Sequence, residues 1–294
     1  MKIAILGRWT SRVQESAMEA WRRFLEAAKV EVWVEEPFAR AWEAVAGLSL
    51  GWPTFRQGIE VASARAAIVL GGDGAFLDAA RLVAPHQVPL LGVHAGRLGF
   101  LTPVSQDALL FATQAILQGR YGLGERSLLT LITEVPLFAP DELYALNEAT
   151  FSKAVTSEMI LLEVYLNGEW INTYWADGLI VSTPTGSTAY SLACGGPIMT
   201  PLCEAFVLTP MAPHALTVRP LVIPDNGVLT VVCKARSGQI LVALDGRYAL
   251  APENTAFALR KAHFPLRLIQ LQGYSYFETL RNRLVWGLDR REGL

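Results

Sequence analysis

The chain has 294 residues, of which 52% are hydrophobic and 18% charged, which is apolar material for about two domains with cores of their own. The net charge of −2 excludes the basic face that nucleic acid usually needs, although small phosphates can still be held by backbone amides, hydroxyls and a metal ion. The three cysteines, Cys194, Cys203 and Cys233, have no C-x-x-C spacing, which excludes a disulfide framework and points to free thiols in a reducing compartment.

In chain order, "KIAIL" near the start reads as an apolar strand of a parallel, buried sheet and not as an export signal. Ser11, with Gln14 three residues on, has capping-box spacing, and Val13, Ala17, Ala20, Trp21, Phe24 and Ala28 follow at helical period. "VEVWV" predicts a second strand and "AAIVL" a third, followed by the helix "AFLDAARLV". "PLLGV" predicts a fourth strand, Ser105 a helix start, and Gly119 a helix stop. Alternating strands and helices imply an α/β layer with a mostly parallel sheet. After about residue 126 the pattern changes to short β-type runs: "LLTLITEV", "LEVYL", "WINTYW", "VLTVVCK" and "QILVAL". Asn167-Gly168 is a strong hairpin signal and Ser237-Gly238 a weaker one. The closing "SYFETLRNRLVWGL" is helical again, with Phe277, Leu280, Leu284 and Leu288 on one face. The longest uncharged run, Gly178 to Cys203, holds three prolines, four glycines, four threonines and three serines, so it does not read as a membrane span. The expected location is the cytoplasm.

Three stretches carry chemistry. In "LGGDGAF", Asp73 stands among glycines where a strand ends and a helix begins. Open α/β sheets bind ligands there, and the helix N–H groups favour anions. A carboxylate beside phosphates needs a cation or a hydroxyl between them, so Asp73 meets either a hydroxyl or a metal. The bland reading is a glycine turn with an Asx hydrogen bond. In "DGLIVSTPTGSTAYSLACGGPI", Ser187 and Thr188 offer hydroxyls and N–H groups to an anion or a ribose. Tyr190 offers a flat face to a base, and Asp177 can take a ribose or amide hydrogen bond. In "ALNEATF", the amide of Asn147 and the carboxylate of Glu148 can read adenine and ribose edges. Common nucleotide signatures are missing: Leu77 breaks the dinucleotide fingerprint, no Gly-Lys dipeptide allows a Walker A loop, and no G-x-S-x-G surrounds Ser187. His86, His94, His214 and His263 are too scattered for a metal cluster.

Taken together, "GGDG" at 71–74, "GRLGFL" at 96–101, "LNE" at 146–148, "DGLIVSTPTGSTAYSLACGGP" at 177–197, "PHALTVRPLVIP" at 213–224 and "LDG" at 244–246 resemble the NAD kinase family in order and spacing. The closing "YFETLRNRL" looks like that family's C-terminal return. The resemblance implies an α/β domain over 1–126, a predominantly β, NAD-binding domain over 127–270, and a helical segment over 271–294 packing back on the first domain, with the substrate between the domains. It implies phosphoryl transfer from ATP, or polyphosphate, to the 2′-hydroxyl of the adenosine ribose of NAD, giving NADP, with a divalent metal ion such as Mg²⁺. By the same resemblance Asp73 is the catalytic residue and Gly74 lies against the substrate. Asn147 and Glu148 hold the adenosine side. Asp177 and the segment Thr188, Ala189, Tyr190, Ser191, Leu192 and Ala193 line the nicotinamide and ribose side, with Trp175 and Arg247 nearby. The resemblance also implies a homo-oligomer, a dimer or tetramer, with no nucleic acid or membrane partner. The chain departs from the family pattern at Ala75, for a usual threonine, at His94, for a usual asparagine, at Ala193, for a usual serine, and at Arg247, for a usual glutamine. Trp175 lies where the family varies with its preference for oxidised or reduced substrate. Two rival readings share parts of the pattern: a lipid kinase carrying "GGDG", and a non-catalytic NAD(P) sensor.

Overall fold

The structure, a computed structural model, describes residues 1–47 and 49–286. The chain divides into two compact units, one formed by Met1–Gly124 with the segment from Arg267, the other by Glu125–Leu266.

The first unit is built on an eight-stranded sheet. Its main run, in spatial order, is Thr54–Phe55, Glu31–Glu35, Lys2–Gly7, Ala66–Leu70, Leu90–His94, Leu266–Gln270 and Gly122–Arg126, with Val104–Ser105 alongside Leu90–His94. The pairings from Thr54–Phe55 to Leu266–Gln270 are parallel, with Ile5 beside Val34 on one side and Ile68 on the other. Ala66–Leu70 is buried along its whole length, which is why it reads as a continuous apolar run. Chain order runs outward in one direction from Lys2–Gly7 and in the other from Ala66–Leu70, so the topological switch lies between these two strands.

Several local expectations need correction. The first helix spans Glu15–Ala27, not from Ser11, and neither Ser11 nor Gln14 caps it with a side chain. Residues 10–13 instead turn back, with the Val13 N–H donating to the Thr10 carbonyl, and bury Val13; the Gln14 N–H donates across the fold to Gln106 Oε1 at 3.1 Å. A second helix, Glu36–Ala46, and the short strand Thr54–Phe55 stand where the sequence reading passes straight to "AAIVL". Their signals were available: Pro37 in the first turn and Gly47 in the left-handed conformation at φ 63° just after the last turn. Ser105 belongs to a short strand, and the helix proper is Leu109–Leu117 after a 3₁₀ turn at Gln106–Ala108. In the C-terminal helix Tyr276–Leu284, Ser275 accepts from the Glu278 N–H and Leu280 is buried, but Phe277 is exposed. The Arg283 guanidinium lies 5.4 Å from the Phe100 ring centroid, which ties this helix to the first unit. Leu288 lies outside the described residues.

The second unit holds two six-stranded sheets. One runs Leu221–Pro224, Ala205–Met211, Gly178–Ser182, Glu148–Lys153, Gln239–Leu244, Arg247–Pro252; the other runs Glu169–Ala176, Ile160–Leu166, Leu229–Lys234, Ala256–Lys261, Leu129–Ile132, Tyr144–Ala145. Neighbouring strands in both sheets pair antiparallel, and Phe151 and Phe257 meet in the core at 5.1 Å between ring centroids. Asn167-Gly168 makes the expected hairpin, both residues at positive φ. Ser237-Gly238 does not. The strands on either side, Leu229–Lys234 and Gln239–Leu244, belong to different sheets, so the turn carries the chain from one to the other. A local dipeptide cannot tell a hairpin from such a crossing, because both need the same positive-φ glycine. Among the described residues no helix is long and apolar enough to cross a membrane.

Candidate functional site

In the first unit, Ala66–Leu70 ends at Gly71 and the helix Asp73–Val83 begins at Asp73. Gly71 has φ +147°, and a Cβ there would sit 2.7 Å from the Ala75 methyl. A Cβ on Gly72 or Gly74 would meet nothing within 4 Å, so the backbone there is open to a ligand. The Asp73 carboxylate turns to the loop that follows Leu90–His94. Oδ2 accepts the Phe100 N–H at 2.9 Å, and Oδ1 accepts the Leu101 N–H at 2.9 Å and the Thr102 hydroxyl at 3.3 Å. Gly99 is required beneath it, because a Cβ there would lie 2.1 Å from Asp73 Oδ1 and 2.3 Å from Thr102 Oγ1. "GGDG" and "GRLGFL", 22 residues apart from Gly74 to Gly96, are thus one structure. An ionised carboxylate has about four lone-pair sites. Three are used here, and the free one is on Oδ2. His94, half-buried in the same unit, has no partner for Nδ1 among the described residues. Burial lowers its pKa against the raising influence of the Asp107 and Asp73 charges.

In the second unit, Asp245 does for "LNE" what the glycine loop does for Asp73. Its carboxylate accepts the N–H groups of Leu146, Asn147 and Glu148 at 2.7, 2.8 and 3.1 Å. Burial raises the Asp245 pKa, against the lowering pull of these N–H groups and of Arg247. The Asn147 carbonyl accepts from Thr183 N–H and Ser182 Oγ, and Gly186 is needed because a Cβ would fall 2.2 Å from that carbonyl oxygen. "LNE" and "STPTG" are therefore clamped together. Glu148 opens its strand opposite Ser182, and its Oε2 is buried without a partner. Burial first, and the Asp245 charge second, push its carboxyl up to about 8. A carboxyl with that value is mostly protonated at pH 7 and can donate a hydrogen bond.

The segment from Thr188 to Ala193 divides by exposure. Tyr190 is 44% exposed, and Ala193 is exposed as well. Burial, Cys194, and the negative charges of Asp177 and Glu148 raise the Tyr190 phenol, so these three predicted side chains share one neighbourhood. Asp177 pairs with Lys153 Nζ at 2.7 Å. Trp175 is exposed and stacks on His214 at 5.1 Å. Thr188 Oγ1 donates to the Thr185 carbonyl, and Ala189 and Leu192 are half-buried. Ser191 departs from expectation: it is fully buried and its hydroxyl bonds Thr209 Oγ1 at 2.8 Å, so its side chain braces the turn and is not presented to a ligand. The Arg247 guanidinium donates to the carbonyls of Glu142 and Tyr144, both at 2.6 Å, where it holds backbone. The sequence reading gave no role to Asp245, Gly99, Thr102, Thr183 or Lys153. For Asp245 a signal existed: Asp245-Gly246, both at positive φ, joins Gln239–Leu244 to Arg247–Pro252 as a hairpin. Among the described residues no group of three His, Cys, Asp or Glu side chains is placed to hold a metal ion.

Comparison with known proteins bears on both units. The family model described as the ATP-NAD kinase N-terminal domain matches residues 3–121, and that of the ATP-NAD kinase C-terminal domain matches 146–271. The NAD kinase of Flavobacterium johnsoniae is 41% identical over 293 residues, covering 99% of this chain and all of the relative. The NAD kinase of Porphyromonas gingivalis is 40% identical, covering 97% of this chain and 98% of the relative. Two solved structures share the fold at 21% identity: yeast NADH kinase complexed with NADH, at a TM-score of 0.85 over 98% of this chain and 88% of that one, and an NAD kinase from Archaeoglobus fulgidus in complex with ATP, at 0.74 over 97% and 99%. With both halves matched and full-length relatives well above 30% identity, this chain belongs to the NAD kinase family.

Proposed function

We propose that this chain is a working NAD kinase that transfers the γ-phosphoryl group of ATP to the 2′-hydroxyl of the adenosine ribose of NAD, giving NADP and ADP. The observation that carries the reading is the Asp73 carboxylate. It is held at the C-terminal edge of a parallel sheet by two backbone N–H groups and a hydroxyl, with one lone-pair site left on Oδ2 and open glycines on either side.

In this reading the 2′-hydroxyl donates to Asp73 Oδ2. The bond from O2′ to the γ-phosphorus forms as the bond from that phosphorus to the β,γ-bridging oxygen breaks, and the hydroxyl proton passes to the carboxylate. A loose transition state demands little of the base, so the gain comes from holding the oxygen in line. Asn147 and a protonated Glu148 face the adenosine. Asp177, Tyr190, Ala193 and Trp175 face the remainder of the dinucleotide, while Gly74, Thr188, Ala189 and Leu192 contribute backbone. Mg²⁺ enters with ATP as part of the substrate, as expected of a cation that keeps its waters and binds through phosphates and one or two carboxylates. The enzyme works in the cytoplasm as a homo-oligomer, in keeping with the family resemblance.

The test is to incubate the purified protein with NAD, ATP and Mg²⁺ and read NADP with an NADP-specific dehydrogenase, with NADH and polyphosphate in parallel. NADP formation that is lost in Asp73→Asn supports the reading. Binding of NAD with no NADP from any donor would make the chain a sensor instead.

A further inference from the structure

The described site residues account for the acceptor and leave the base of the donor without a seat. In the first unit a separate cavity of about 300 Å³, at the small end of ligand sites, is lined by Trp9, Glu15, Ser16, Glu19, Trp42 and Ala46. Trp9 lies two residues past Gly7, at the end of the strand that flanks the topological switch. That end touches the glycine loop directly: the Arg8 N–H donates to the Leu70 carbonyl at 3.0 Å, and Gly7 packs so close that a Cβ would sit 2.1 Å from that oxygen. Nucleotides bind in α/β sheets at this point, with phosphates at the glycine turn and the base to one side.

The lining has a definite chemistry. Trp9 packs on Phe38 at 6.0 Å and on Trp42 at 6.1 Å, and Trp42 stacks on Trp21 and meets Trp52 edge-on. This buttress fixes the Trp9 indole while leaving the residue half-exposed beside the cavity. The polar groups on the lining are two carboxylates and a hydroxyl. Glu19 is committed to Arg22 and Arg23, but the Glu15 and Ser16 side chains have no hydrogen-bond partner among the described residues. Arg22 and Arg23 offset the Glu19 charge at the edge, and no cation is itself among the lining residues, so the cavity offers phosphate no direct cationic contact. Two further cations stand nearer the glycine turn: Arg8 pairs with Asp78, and the Arg12 stem lies 3.2 Å from where a Cβ on Gly96 would project. A flat ring carrying an amino group, tethered to phosphates that stay outside, matches this layout.

We propose that the Trp9 cleft is the purine subsite for the phosphoryl donor, with Trp9 stacked on adenine and Glu15 accepting from its exocyclic amine. The proposal rests on the kinase reading above and adds the donor's base to it. It also predicts donor choice: guanine presents a carbonyl oxygen where adenine presents the amine, and that oxygen would face the Glu15 carboxylate.

The experiment is equilibrium binding of Mg·ATP and Mg·GTP by calorimetry, which reads the subsite whether or not NADP is formed. Base–aromatic stacks removed by alanine substitution weaken binding by about tenfold. Trp9→Ala is expected to weaken ATP by about that factor and Trp9→Tyr to restore most of it. Because Trp9 also packs on the core, Ser16→Phe serves as a second variant: Ser16 is an exposed helix residue, and the larger ring fills the cleft from outside. It should weaken ATP equally while leaving the affinity for NAD unchanged. Glu15→Gln should narrow the preference for ATP over GTP. ATP binding unchanged by Ser16→Phe, or equal loss of ATP and NAD, would overturn the proposal, as would a parent protein that does not bind ATP. Failure of the kinase reading shows separately, as absence of NADP in the coupled assay.

Discussion

Glu148 offers a sharp test of the second unit. Its Oε2 is buried and unpartnered, and burial together with the Asp245 charge moves its carboxyl from the ordinary 4.5 to about 8. Below pH 4.5 the group is protonated in both folded and unfolded chains, and its contribution to stability is fully present. As pH rises through 4.5 the unfolded chain releases the proton while the folded chain keeps it, so stability falls until the folded group also ionises near pH 8. The difference of 8 − 4.5 = 3.5 units corresponds to about 5 kcal/mol at about 1.36 kcal/mol per unit, lost across that window. Glu148→Gln keeps the shape and removes the titration. Urea unfolding at steps from pH 5 to 8.5 should show the parent losing several kcal/mol relative to Glu148→Gln, with other titrations cancelling in the comparison. Glutamine can also donate a hydrogen bond, so KM for NAD near pH 7 should change little. Stability curves for the two proteins that stay parallel within about 1 kcal/mol would refute the protonated, buried carboxyl.

Three further outcomes follow from the geometry. Asp73→Asn retains one acceptor oxygen but loses the charge, so kcat should fall by about 10²–10⁴ with a smaller change in KM, and equal kcat would remove Asp73 from the chemistry. Gly99→Ala places a methyl 2.1 Å from Asp73 Oδ1, so it should displace the carboxylate and lower kcat while leaving KM for NAD nearly unchanged; parent-like kcat would show that the carboxylate position is not critical. Tyr190→Ala removes an exposed ring beside Asp177 and Glu148 and should mainly raise KM for NAD, whereas an unchanged KM would place the ring outside the site.

Local sequence settled a good deal. The apolar runs "KIAIL" and "AAIVL" specify buried parallel strands because both faces are covered, and the change to short β-type runs after residue 126 marks the second unit. Asn167-Gly168 specifies its hairpin because only such a pair accepts two positive φ angles in succession. That a carboxylate stands among glycines where a buried strand ends was also readable, although a plain Asx turn and a ligand contact suit that pattern equally. What the carboxylate touches was not readable. Its partners at Phe100, Leu101 and Thr102, and those of Asp245 at 146–148, lie 27–29 and 97–99 residues away along the chain. Hydrogen bonds across such separations are set by which strands become neighbours, and no local pattern encodes that. The same cause hid the fate of Ser191, a hydroxyl spent on Thr209, and of Ser237-Gly238, a turn between sheets and not within one. Propensity and spacing thus pointed to most of the strands and to residues able to carry chemistry. Only packing decided which groups are buried, and therefore which carboxyl holds its proton and which oxygen remains free.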